Sequence, residues 1–160
     1  MESDIKRWLQ VAFFDLFNSD DKELLDRNVH EEAINHRLAY WLEKHRPAKY
    51  SAYYVDMEFN KNGDEKKIIN DKNSRTYMRP DIIIHKRTKD DGDNLIAIEC
   101  KKEDDSDYDI TKLDYLGDHG YNYRYCIAVR YMPRENFFYL CTNETDFENS
   151  ITVPKNTCSW

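Results

Sequence analysis

Asp81, Glu99 and Lys101 are three ionisable residues set at the ends of two apolar runs, within RPDIIIHKRTKDDGDNLIAIECKK at residues 79–102. Asp81 precedes Ile82-Ile83-Ile84, while Leu95-Ile96-Ala97-Ile98 ends on Glu99, with Lys101 two residues later. Desolvating an ionised side chain costs several kcal/mol, so charges beside apolar strands need a partner or a task. Strand alternation puts Leu95, Ala97, Glu99 and Lys101 on one face and Ile96, Ile98 and Cys100 on the other. A hairpin folded symmetrically about Asp91-Gly92 brings Asp81 level with residues 101–102, within one or two rungs of Glu99. Two carboxylates and one ammonium then converge. Close carboxylates repel, and the usual remedies are a shared proton or a divalent cation. Oxygen donors of this kind suit Mg²⁺ or Mn²⁺ rather than zinc. A cation there, beside a lysine, can activate water and neutralise charge on a phosphate, which is chemistry for phosphodiester hydrolysis. Taken alone, the tripeptide Glu99-Cys100-Lys101 is more often a salt-bridged strand end.

The elements that must position these residues follow from periodicity. Residues 3–17 place Ile5, Trp8, Leu9, Ala12, Phe13 and Leu16 at helical spacing, with Ser3 as N-cap. A short helix restarts at Ser19-Asp20-Asp21 and runs through Leu24 and Leu25. A longer one spans about residues 28–46, with Ile34, Leu38 and Leu42 as its stripe, and stops near Pro47. The period then changes to two: Val55, Met57 and Phe59 alternate with Tyr54, Asp56 and Glu58, as in a half-buried strand. Asn62-Gly63 reads as a turn and 64–78 as a polar excursion. Strands are expected over 81–87 and 94–101, joined by Asp90-Asp91-Gly92-Asp93, then a helix over 107–117 and strands over 123–131 and 136–142. The fold class expected is mixed α/β (α+β), a central mixed sheet of four to five strands flanked by helices.

Pro80-Asp81, a strand, a turn, a second apolar strand and Glu99-Cys100-Lys101 together resemble the PD-(D/E)xK, or restriction-endonuclease-like, nuclease superfamily. The family core, in the order α-β-β-β-α-β, matches residues of about 28–131 within a single domain spanning 1–160. Residues 1–27 then form a helical extension and 132–160 a C-terminal strand and tail. The motif itself is short and degenerate. The resemblance implies a Mg²⁺- or Mn²⁺-dependent nuclease, with Asp81 and Glu99 as metal ligands, the Cys100 carbonyl as a further ligand and Lys101 positioning the water. It also implies a further catalytic, metal-binding glutamate from the first core helix, for which Glu31 and Glu32 compete. Positions 31, 34, 38 and 42 share one helical stripe, which favours Glu31. Against this, Asn28 and Glu31 also fit a capping box. Arg79, Lys102 and Lys112 are candidates for contacts to phosphate, with solvated surface the competing reading.

Composition narrows the alternatives. With 160 residues, 14% aromatics, 4 Gly and 4 Pro, the chain is neither low-complexity nor collagen-like. No apolar run approaches a membrane span, and the acidic start MESDIKRW is unlike a signal peptide, so a cytoplasmic location is expected. Cys100, Cys126, Cys141 and Cys158 form no CxxC pair and read as structural thiols. His30, His36, His45 and His85 show no convincing metal spacing. Tyr121, Tyr123, Tyr125 and Tyr131 can stack on bases, but strand packing explains them better. Net charge is −7, yet residues 61–89 carry nine Lys/Arg against four Asp/Glu, a local +5 that leaves −12 elsewhere. That segment, with Lys66 and Lys67, can grip a phosphate backbone. Two functions stand: a metal-dependent nuclease acting on DNA, alone, as a homodimer or with a targeting partner protein; or a catalytically silent nucleic-acid-binding or protein-interaction module.

Overall fold

The apolar stripe of residues 3–17 folds as helix α1 (Ser3–Asn18), which buries Ile5, Trp8, Leu9, Ala12, Phe13 and Leu16, the six residues of that stripe. The computed structural model describes residues 1–62, 65–71, 74–88, 93–102, 107–118, 121–131 and 138–141. Glu2 rather than Ser3 caps α1, the Ser3 hydroxyl being turned to Asp4. After a single short turn of helix, α2 (Lys22–Asp26), comes α3 (Glu31–Lys44), which buries Ile34, Asn35, Leu38, Ala39, Trp41 and Leu42. The Trp8 indole N–H donates to the Leu42 carbonyl at 2.7 Å in the interior, locking α1 against α3.

The sheet has five strands: β1 (Tyr54–Met57), β6 (Ile82–His85), β7 (Asn94–Lys101), β8 (Tyr125–Arg130) and β9 (Phe138–Cys141), in that spatial order. All neighbours are antiparallel except β7 and β8, which run parallel. A parallel pair needs a crossover, and α4 (Asp107–Asp118) supplies it. Residues of β7 from Asn94 to Cys100 are all buried because both faces are covered, so this central strand reads as a near-continuous apolar run. On one face α1 and α3 pack over Ile82, Ile84, Ile96, Ile98, Ile127 and Val129. On the other, Leu113 and Leu116 of α4 pack over Ile83, Ala97, Cys126 and Ala128. Among the described residues no helix is long and apolar enough to cross a membrane.

Three features differ from the sequence expectation. The polar excursion at 64–78 holds strands: β2 (Lys61–Asn62) pairs with β3 (Glu65–Lys66), and β4 (Ile68–Asp71) with β5 (Ser74–Tyr77), each antiparallel. They lack an apolar face, so periodicity could not announce them. The β6–β7 hairpin has a different register: Ile84 opposes Ile96 and Ile82 opposes Ile98, which sets Asp81 beside Glu99 rather than level with residues 101–102. A bulge between Ile84 and His85 inserts Leu95, so Leu95 joins the same core as Ile96 and the alternation holds only from Ile96 onward. Lastly, α3 starts at Glu31 with His30 as its cap and no side-chain cap bond, so the Asn28–Glu31 capping box does not form. The turns at Gly63 and at residues 89–92 lie outside the described residues.

The edge strand β1 is fastened to β6 by charge. His85 Nε2 lies 2.8 Å from Asp56 Oδ2, and Arg87 grips both oxygens of the same carboxylate. Burial pushes the His85 imidazole below its ordinary 6.5, opposed by Asp56 and reinforced by the nearby Lys67 and Arg87 charges. The Arg87 guanidinium, and then His85, hold Asp56 below the usual aspartate range. A histidine whose folded pKa is depressed is neutral in the fold while the unfolded chain binds the proton. Stability therefore falls as pH drops below the unfolded value. The thermal midpoint should decline between about pH 7 and about pH 5, and His85→Gln should lose part of that slope. An identical slope in the variant assigns the effect to other groups.

Candidate active site

Asp81 and Glu99 stand on neighbouring strands one rung beyond the Ile82–Ile98 pair. Asp81 Oδ2 accepts the Cys100 N–H at 2.7 Å, which fixes its carboxylate against the end of β7. Glu99 is deeper, with 3% of its side chain exposed. Its partner is Lys112 of α4, also nearly buried, whose Nζ lies 2.7 Å from Glu99 Oε1 in an ionic contact without good hydrogen-bond alignment. The same ammonium donates to the Arg79 carbonyl at 2.8 Å, tying the residues before β6 to α4.

Glu31 reaches the site from the opposite face of the sheet. Its Oε1 lies 3.5 Å from Lys101 Nζ and its Oε2 accepts the Lys102 N–H at 3.1 Å. Glu32 is turned outward, 70% exposed, with His30 at 4.0 Å. Two anchors hold the start of α3 over the strand end. Lys102 Nζ donates to the carbonyl and side-chain oxygens of Asn28, and the buried Tyr131 hydroxyl donates to Asn35 Oδ1 at 2.7 Å. Asn28 adopts φ 51, which asparagine tolerates better than most residues. Burial, and next the Asp81 charge, push the Cys100 thiol well above its usual range, with Glu99 and Glu31 adding to the effect. A fully buried thiol of that kind is inert as a nucleophile. Three carboxylates thus surround one strand end.

Glu58 belongs to this constellation, although its place in a plain strand pattern gave no sign of it. It sits at φ 54, costly for a residue with a Cβ, with its N–H donating to the Asp81 carbonyl at 3.0 Å. Its carboxylate meets the exposed Arg79 guanidinium. Of the other cations singled out for phosphate contact, Lys66 is exposed on β3. Lys67 is not available to a ligand: it is buried, its Nζ donates to the Lys61 carbonyl, and it lies over the rings of Phe59 and Tyr123. Alternation along a short two-stranded ribbon separates two adjacent lysines in this way. Lys112 likewise turns to Glu99 instead of outward.

The donor types suit a hard divalent cation: two carboxylates on adjacent strands. Among the described residues no three His, Cys, Asp or Glu side chains gather tightly enough to hold a metal alone. Such a set fits Mg²⁺, which is commonly held by one or two carboxylates and keeps several waters. Compared with protein-family models, curated proteins and solved structures, the chain matches none.

The Glu99–Lys112 pair has a stability consequence. Removing one partner of a buried pair leaves an uncompensated charge and costs about 3–5 kcal/mol. Lys112→Met should lower the unfolding free energy by about that amount in urea titration, and adding Glu99→Gln should recover most of it. A single variant as stable as the parent assigns the neutralisation of Glu99 to some other group.

Proposed function

We propose that the chain is a nuclease with a restriction-endonuclease-like core that hydrolyses phosphodiester bonds of DNA with Mg²⁺ or Mn²⁺. One observation carries the reading: Asp81 and Glu99 stand side by side at the strand end that also presents Lys101. The order α3, β1, β6, β7, α4, β8 also follows that expected of such a core. In this reading Asp81, Glu99 and the Cys100 carbonyl hold the cation. When bound, the cation supplies Lewis-acid stabilisation of charge on the phosphate and acidifies water. Lys101, steadied by Glu31, donates to the attacking water and orients its lone pair toward phosphorus. Arg79 offers a planar donor set to a flanking phosphate if Glu58 releases it.

A second reading rests on Lys112. Its ammonium already neutralises Glu99, so that carboxylate has a partner without a metal, which favours a silent binding module.

Purified protein incubated with plasmid and with single-stranded DNA in Mg²⁺, Mn²⁺ or EDTA separates the two. The nuclease reading expects metal-dependent cleavage that Lys101→Ala lowers by about a hundredfold or more, with the thermal midpoint unchanged. Asp81→Ala should abolish Mn²⁺ binding in calorimetry, and Glu31→Gln should cut activity by about tenfold while Glu32→Gln stays near the parent. Absence of cleavage with every metal, together with intact DNA binding, selects the silent module.

A further inference from the structure

Among the described residues the exposed large apolar side chains are Tyr40, Tyr54 and Tyr77, and each carries a cation over its ring. Arg37 lies 4.4 Å from the Tyr40 centroid, Arg87 4.4 Å from Tyr54, and Lys66 4.6 Å from Tyr77. The first two cations are spoken for, since Arg37 is paired with Asp21 and Arg87 with Asp56. Among the described residues no ion pair ties Lys66. Tyr77 is the most exposed of the three, at 60%. Tyr77 and Lys66 thus present together an open aromatic ring and an exposed ammonium, the two groups that stacking on a base and contact with its phosphate use.

The base beneath Tyr77 is tied to the body of the fold by hydrogen bonds. Ile68, its cross-strand partner, both donates to and accepts from the Tyr121 hydroxyl, and the next residue, Met78, is buried with its N–H donating to the Lys67 carbonyl at 2.9 Å. The ring is therefore displayed from a hydrogen-bonded base. Tyr77 and Asp81 are four positions apart, so their Cα atoms lie within about 14 Å of each other along even a fully extended chain. That span is about four nucleotides at the B-form rise.

We infer that Tyr77, with Lys66, is a stacking platform for an unpaired base of the nucleic-acid strand whose phosphate lies at Asp81 and Glu99. The substrate class is then DNA with a single-stranded segment near the reactive phosphate. Aromatic rings stack on any base whose face is free, whereas bases inside a duplex are already stacked on one another. Lys66 adds an ammonium suited to the neighbouring phosphate. The inference rests on the proposed site for its second contact, but the platform itself is testable without cleavage.

The test is fluorescence anisotropy in EDTA with three labelled probes: a single-stranded oligonucleotide, the same strand with abasic sites, and a blunt duplex. Tyr77→Ala should weaken single-strand binding by about tenfold, Tyr77→Phe should restore it, and duplex binding should change by less than about twofold. The parent should bind the abasic strand as weakly as Tyr77→Ala binds the intact one. Thermal midpoints of both variants verify folding. No single-strand binding by the parent, unchanged affinity in Tyr77→Ala, or an equal loss on all three probes overturns the platform. A Tyr77 effect seen in a protein that cleaves nothing sustains the platform and sinks the nuclease reading. Metal-dependent cleavage with no Tyr77 effect does the reverse.

Discussion

A carboxylate that cannot reach water, on the middle strand of the sheet, is the constraint around which the rest is arranged. Glu99 has apolar strands on both sides and helices over both faces, so the desolvation of its charge must be offset within the protein. The Lys112 ammonium offsets it from α4, and by also holding the Arg79 carbonyl it fixes how α4 meets the start of β6. Asp81 follows from the same geometry, because its backbone is pinned by Glu58 and its carboxylate by the Cys100 N–H. A charge that needs a partner thereby organises the ends of two strands and a helix.

The helices and the central strands were legible in the sequence because each carries a strong period: 3.6 in α1 and α3, and a continuous apolar run in β6 and β7. Register was not. It depends on where the β6–β7 hairpin turns and on the extra residue Leu95, and neither leaves a mark in hydrophobic pattern. The result is that Asp81 sits closer to Glu99 than symmetric folding about Asp91-Gly92 suggests. The ribbon of β2 to β5 was missed for the complementary reason, since it is polar and held by backbone pairing and the Tyr121 hydroxyl. Of the site, Asp81, Glu99 and Lys101 were readable from type and spacing, and Glu31 from helical phase. Glu58 and the inward turn of Lys112 were not, because each depends on a tertiary partner distant in sequence.

Most described cations of the segment 61–89 are already used: Lys67 is buried, and Arg79, Lys86 and Arg87 pair with Glu58, Asp93 and Asp56. Much of the negative charge is used internally: Asp21 with Arg37, Asp56 with Arg87 and His85, and Glu2 with Lys49 and Arg124. Exposed pairs of this kind contribute little stability but leave little free field at those places. Lys66 is exposed and sits at the base of the ribbon that leads into Asp81.

Among the described residues, the end of β7 receives side chains from both helical layers. Glu31 comes from the α3 face and Lys112 from the α4 face, and along the strands the sheet itself keeps those faces apart. Where β7 ends, side chains from both sides meet, and there the parallel pairing with β8 sets Lys101 opposite Arg130. The carboxyl ends of adjacent parallel strands are the usual ligand position in open sheets because the crossover helix leaves a crevice there. The parallel step between β7 and β8, which requires α4 as its connection, is therefore what brings a lysine from that helix against Glu99. One topological choice thus places both the strand end and the ammonium that neutralises Glu99.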